Sequence, residues 1–241
     1  MNNGILNLGG NNLTADYVYY NNGTTQFGIL AVAIDFYGTS GTFSSDATLK
    51  FVGPSVGLWS PGNIAYNGGV VIEKSDKVAL NVSGTATTPY VTNLYLFDGY
   101  LNTGTIFVTG DLYINTANGL HLFDGGTGTI YLTGAASAQN IIVNQTTAFM
   151  TNLIIDKSQG TVYVKNGDID FQDKIIDLRN GVFDLNGFKV ITNDFSQSGV
   201  STVRGGTLSV RRSFYGASGT WETSATLKFV EGNPGDWYPG N

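Results

Sequence analysis

Three carboxylates crowd the stretch Gly167-Asp168-Ile169-Asp170-Phe171-Gln172-Asp173-Lys174. Asp168 and Asp170 are two residues apart, so on a strand both side chains leave the same face. Such a pair can serve as general acid and base, or it can hold a calcium ion. The plainer reading, and the favoured one, is a solvated outer face with Ile169 and Phe171 turned inward. Asp98 and Asp124 form a second candidate pair, because each ends a Leu-Phe-Asp-Gly segment. Stacked on neighbouring strands they would lie about 5 Å apart and could share calcium, although an Asp before Gly more often shapes a turn. His121 is the single histidine and sits between Leu120 and Leu122. It reads as an outward strand residue, since no Ser-His-Asp set or second histidine can be assembled around it. Trp59 and Trp237 occupy the same place in Leu-Trp-Ser-Pro-Gly-Asn and Asp-Trp-Tyr-Pro-Gly-Asn. With Tyr238 they could stack on a sugar ring, against the simpler alternative of a tryptophan that packs a loop onto a wall.

The remaining chemistry is bounded by composition. With no cysteine among 241 residues, thiolate metal sites, thiol nucleophiles and disulfides are excluded. The net charge of −6 and the lack of a basic run argue against nucleic acid or an anionic membrane as partner. The most apolar run, Gly28 to Ile34, is too short to span a bilayer. No phosphate loop, zinc motif or nucleophile elbow is found.

The elements that must carry these residues are strands. Charged residues are 12% of the chain, yet 41% are hydrophobic, and the polar balance is made up by Thr, Asn, Ser and 33 glycines. Short apolar runs recur between turn residues, and many alternate. In Val78-Ala79-Leu80-Asn81-Val82, Val78, Leu80 and Val82 share a face. Period-two patterning without a helical stripe predicts an almost entirely β chain.

Two periods organise the strands. Phe36–Asn63 returns as Phe214–Asn241, with 17 of 28 positions identical and an offset of 178, and upstream Asn3–Leu8 matches Asn180–Leu185. Residues 3–63 are thus repeated as 180–241. The pattern breaks off in mid-repeat, which reads as a section of a longer tandem array. Inside it runs a shorter echo. Thr103-Gly104-Thr105-Ile106-Phe107-Val108-Thr109-Gly110 returns 24 residues later as Thr127-Gly128-Thr129-Ile130-Tyr131-Leu132-Thr133-Gly134, and the Leu-Phe-Asp-Gly segments are 26 apart. Units of roughly 20–26 residues, each with two or three short strands, predict one continuous β-solenoid (β-helix) over 1–241. A string of β-sandwiches is the alternative, but a repeat of 178 with no linker fits it less well. Coils of ~22 residues give about eleven coils, each rising roughly 4.8 Å.

Phrases such as Gly181-Val182-Phe183-Asp184-Leu185-Asn186-Gly187-Phe188-Lys189-Val190, followed by Ser213-Phe214 and Gly219-Thr220-Trp221, resemble the repeat regions of large bacterial β-solenoid surface adhesins and autotransporter-like extracellular proteins. That resemblance implies export, display on the cell surface and a role in adhesion or as a stalk or filament; it transfers no binding residue. The expected function is a non-catalytic structural repeat without a cofactor, calcium being the one ion to consider. Its partners would be neighbouring repeats, through end-to-end self-association, and a cell-surface glycan or protein. Two alternatives share the fold: a glycan-binding module using Trp59 and Trp237, and a carbohydrate-active β-helix of tail-spike or lyase type using Asp168 and Asp170. An enzyme should carry its site once, whereas an array would multiply it.

Overall fold

The computed structural model describes residues 1–75, 78–83, 89–114, 123–144, 148–230 and 235–239. They form a β-solenoid with no helix, so among the described residues no helix is long and apolar enough to cross a membrane. Every strand pairing among the described residues is parallel, so backbone hydrogen bonds run from coil to coil along one axis. Each coil has only short straight legs and cannot enclose a core alone. Stacking supplies what a single coil lacks, because the inward side chains of one coil rest on those of the next.

The inward columns can be followed residue by residue. Leu30, Leu49, Val70, Leu94, Leu112, Ile141 and Val164 lie opposite one another in consecutive coils, and all are buried. A second column runs Ile106, Ile130, Leu153, Ile176, Phe195, Phe214. A third runs Phe43, Tyr66, Val91, Val108, Leu132, Ile155, Leu178 and ends on Gln197. Each fully buried aliphatic side chain contributes about 1.5–3 kcal/mol by leaving water. The contribution is shared only between adjacent coils, so stability is local along the rod.

Coil length varies more than the sequence echoes suggest. Partners are 17 residues apart at Tyr90 and Phe107 but 29 apart at Leu112 and Ile141. The legs are fixed by the ladder and the loops absorb the difference. The stack has about nine turns rather than eleven. From Leu30 the registers pass through six coil steps to Val164, and from Ile169, five residues further along the chain, through two more to Leu208, the repeat partner of Leu30. At about 4.8 Å per step, one 178-residue repeat rises about 40 Å.

Both copies of the long repeat are built alike. Phe36 lies opposite Trp59 as Phe214 lies opposite Trp237. Gly28 and Gly206 have φ of 141° and 142°. A Cβ on Gly28 would fall 2.3 Å from the Asn11 carbonyl oxygen, and one on Gly206 would fall 2.6 Å from that of Phe188. At both places the chain crosses so close to the previous coil that only glycine fits.

Candidate functional site

The aspartate pair is brought to one face but is engaged by neighbouring coils. Asp168 is exposed, and its Oδ1 accepts the Lys189 N–H at 2.8 Å. Asp170 accepts both arms of the Arg211 guanidinium, at 2.8 and 2.9 Å, and the Gln172 N–H at 2.7 Å. Burial pushes the Asp170 carboxyl up, but the Arg211 fork, the Gln172 amide and nearby Lys189 outweigh it and hold the group below the usual carboxylate range. Asp173 forms an ion pair with Lys174 at 2.6 Å. Asp170 is therefore a clasp between coils separated by 41 residues in sequence.

The Asp98–Asp124 stacking expected from the sequence echo is corrected by register. Gly99 pairs with Phe123, and the Asp124 N–H donates to the Gly99 carbonyl at 2.8 Å. The two aspartates are out of step by two residues because the coil spacing there is 24 while their echo is 26. Asp98 is buried, and its Oδ1 accepts the Gly99 N–H at 2.7 Å, the turn-shaping role. Among the described residues no group of three or more His, Asp or Glu is placed to hold a metal ion.

The tryptophans part company. Trp59 is fully buried. Its ring packs on Phe51 at 5.2 Å and meets Tyr66 edge-on at 5.3 Å, and its Nε1–H donates to the Tyr66 hydroxyl at 3.1 Å. That hydroxyl lies 3.0 Å from the Pro61 carbonyl, and burial pushes the Tyr66 phenol far above its ordinary range. A ligand role for Trp59 is thus overturned, because no face of its ring reaches solvent. Trp237 is 61% exposed and touches Phe229; Tyr238 is 57% exposed and stacks on Tyr215 at 5.5 Å. Trp237 occupies the place of Trp59 in the last described coil. Its exposure comes from position in the stack, not from a different local fold. His121 lies outside the described residues.

Sequence reading missed two features. The first is an outward aromatic ladder, Tyr90–Phe107–Tyr131, with ring centroids 4.8 and 4.5 Å apart. Phe107 and Tyr131 hold the same place in the 24-residue echo, which is the signal that could have revealed it. The Tyr131 hydroxyl donates to Asp156 at 2.5 Å, Asn180 donates to the other Asp156 oxygen at 2.7 Å, and Arg179 lies over the ring at 5.7 Å. The hydrogen bonds from Asn180 and Tyr131 hold the Asp156 carboxyl below its usual range. Rings stacked along the axis present edges to solvent. Only Tyr90, 57% exposed, has an open face, because the register places Ala65 where the next rung would stand. A groove of about 410 Å³ lies there, lined by Asn63, Ala65, Asn67, Tyr90 and Thr92 among others.

The second is a pair of interior lysines. Lys74 ends Val70-Val71-Ile72-Glu73-Lys74 and Lys157 ends Leu153-Ile154-Ile155-Asp156-Lys157. Both are fully buried and follow a shift of register. Lys74 Nζ donates to the Ala33 and Val52 carbonyls at 2.6 and 2.7 Å; Lys157 Nζ donates to Gly134 O at 3.2 Å and Gln139 Oε1 at 3.1 Å. Each amine thus reaches back to oxygens of earlier coils, two backbone carbonyls for Lys74 and one backbone carbonyl and one side-chain amide oxygen for Lys157. Burial lowers both amines, Lys74 to about 8 with Asp35 opposing the shift. Gly99 and Gly181 of the following coils rest on the two lysine stems.

Compared with family models, curated proteins and solved structures, the chain finds no match, so its assignment stands on the solenoid geometry and on the internal repeat.

Proposed function

We propose that this chain is a rigid, non-catalytic structural section of a long extracellular surface protein, serving as an adhesin stalk or filament segment. The observation that carries this reading is the equivalence of 3–63 and 180–241. Related sequence adopts matching coils twice, with Phe36 opposite Trp59 as Phe214 is opposite Trp237 and with Gly28 and Gly206 at the same close crossing. A fold whose output surface matches its own earlier surface can be extended indefinitely, which is what a spacer requires. The best catalytic candidate, Asp170, is held by Arg211 instead of facing an open cleft. The resemblance of the repeat phrases to bacterial surface adhesins supports export and cell-surface display.

The test is length. Chains carrying one, two and three added 178-residue repeats should lengthen in steps of about 40 Å by small-angle scattering or electron microscopy. Rods that do not lengthen, or that collapse into compact particles, would overturn the reading. Measurable turnover of a polysaccharide, abolished in Asp168→Asn plus Asp170→Asn, would replace it with the enzymatic alternative.

Glycan contact is a second reading, favoured by the open face of Tyr90. The open face lies on the Ala65 side of the ring, and the side chains of Asn63, Asn67 and Thr92 border it. A pyranose could stack on the phenol face while amides and hydroxyls bind its equatorial oxygens. Loss of glycan-array signal in Tyr90→Ala, retained in Trp237→Ala, is the expected pattern. A blank array for the parent chain removes this reading.

A further inference from the structure

The same coil is seen twice in this molecule, once covered and once bare, and the comparison says what covers it. In the first copy, the coil containing Phe43, Leu49, Phe51 and Trp59 is overlaid by residues 63–66, 69–74 and 80–82 through three parallel ladders. Thr42-Phe43 pair with Ala65-Tyr66, Thr48–Gly53 with Gly69–Lys74, and Gly57–Trp59 with Leu80–Val82. Under that cover Phe43, Leu49, Phe51 and Trp59 are all at most 1% exposed. In the second copy the same positions hold Trp221, Leu227, Phe229 and Trp237. Leu227 and Trp221 are only partly buried, Phe229 is 49% exposed and Trp237 is 61% exposed. Trp221, Leu227 and Trp237, together with Phe214, Ala225 and Pro239, line a hollow of about 330 Å³ in this coil. The floor of the hollow matches in detail. A Cβ on Gly38 would meet the Pro61 carbonyl at 2.7 Å, and one on Gly216 would meet the Pro239 carbonyl at 2.8 Å.

We propose that this end of the solenoid is a docking face for one further parallel coil of the Ile64–Val82 sequence type, seated in the register that those residues adopt on the first copy. The inference rests on the rod reading above and specifies its joint. Recognition has two parts. Among the described residues, the backbone edges at Thr220-Trp221, Ala225–Phe229 and Trp237-Tyr238 have ladder partners on one side only, and a parallel strand would supply the other. The second part is side-chain fit. In the covered copy Tyr66 stacks on Phe43 at 5.5 Å and accepts the Trp59 indole N–H at 3.1 Å. The incoming tyrosine would meet Trp221 and Trp237 in the same way. The face therefore selects a coil carrying an aromatic hydroxyl at that rung.

The experiment appends the sequence Ile64–Ser83 to the full chain after Asn241. Controls carry a scrambled extension or an extension with serine in place of the tyrosine equivalent to Tyr66. Acrylamide quenching reports Trp237, with Trp237→Phe in each chain isolating its signal from Trp59 and Trp221. The native extension should reduce quenching of Trp237 severalfold, shift its emission to shorter wavelength and slow amide exchange over 225–229 by more than about tenfold. The scrambled and serine extensions should leave Trp237 as accessible as in the parent. As a second arm, a free Asn63–Ser83 peptide is titrated onto the unmodified chain, with saturable shielding of Trp237 expected. Equal shielding by native and scrambled extensions, or no shielding in either arm, overturns the proposal. The rod reading is judged separately, because repeats joined by flexible links would still add length with Trp237 left accessible.

Discussion

Trp59 and Trp237 provide an internal experiment on what burial contributes, since residue type and local sequence are nearly the same. Truncating Trp59 to alanine removes a ring that is fully enclosed by Phe51, Tyr66 and the coil above. It also deprives the buried Tyr66 hydroxyl of the indole N–H, leaving it the Pro61 carbonyl. A large-to-small change of this kind costs about 3–5 kcal/mol. At Trp237 more than half of the side chain is already in water, and the ring loses chiefly its contact with Phe229. The corresponding cost is about 1 kcal/mol by area bookkeeping. Because coils interact only with their neighbours, the Trp59→Ala damage should concentrate in the first three coils. Urea denaturation followed by circular dichroism gives the totals, and amide exchange locates them. Strands Ala47–Gly53 and Asn63–Lys74 should lose protection, while Ile175–Asp184 keeps it. Equal costs at the two sites, or a Trp59→Ala cost under about 1 kcal/mol, would refute the claim that position in the stack decides the role of this tryptophan.

Gly28→Ala and Gly206→Ala should destabilise their local coils by similar amounts, on the order of 2–4 kcal/mol, since each forces a Cβ onto a carbonyl at φ near 140°; exchange rates at the two sites check the match, and a neutral result at either breaks the equivalence. Stability should rise with pH above about 8, because the Lys74 amine loses its proton at about 8 when folded while the unfolded chain keeps its own to near 10.4. The gain is at most about 3 kcal/mol by pH 10.5, and Lys74→Met should flatten that part of the urea-midpoint profile. Arg211→Leu should let the Asp170 carboxyl titrate at higher pH, so acid destabilisation begins earlier; the full ion pair contributes stability above the unfolded aspartate value that is lost as pH falls through the lower folded value. Carbon-13 NMR titration of Asp170 in the two chains checks the direction. Calcium and a chelator should give the same melting temperature, since Asp170 accepts Arg211 and Asp98 accepts the Gly99 amide; a calcium-dependent rise would restore the metal reading.

Local patterning was enough to determine the class of fold. Alternation in segments such as Thr129–Leu132 fixes an inward face for Ile130 and Leu132, and backbone geometry makes that choice without help from distant residues. The 178-residue offset likewise determined that 36–63 and 214–241 would adopt one shape. Register between coils was not legible. It depends on loop lengths that vary freely, so the 26-residue echo of Asp98 and Asp124 predicted a stack that the 24-residue coil spacing breaks. Nor was burial. A strand residue knows its face but not whether another coil lies over it, and that alone separates Trp59 from Trp237. Lys74 makes the same point from the other side: a lysine after Glu73 reads as surface, yet its amine turns inward onto the Ala33 and Val52 carbonyls of earlier coils. The sequence by itself determined a stack of β coils that repeats; the tertiary structure decided which aspartates meet an arginine and which tryptophan is sealed, because those outcomes depend on contacts between coils and not on the residues within one.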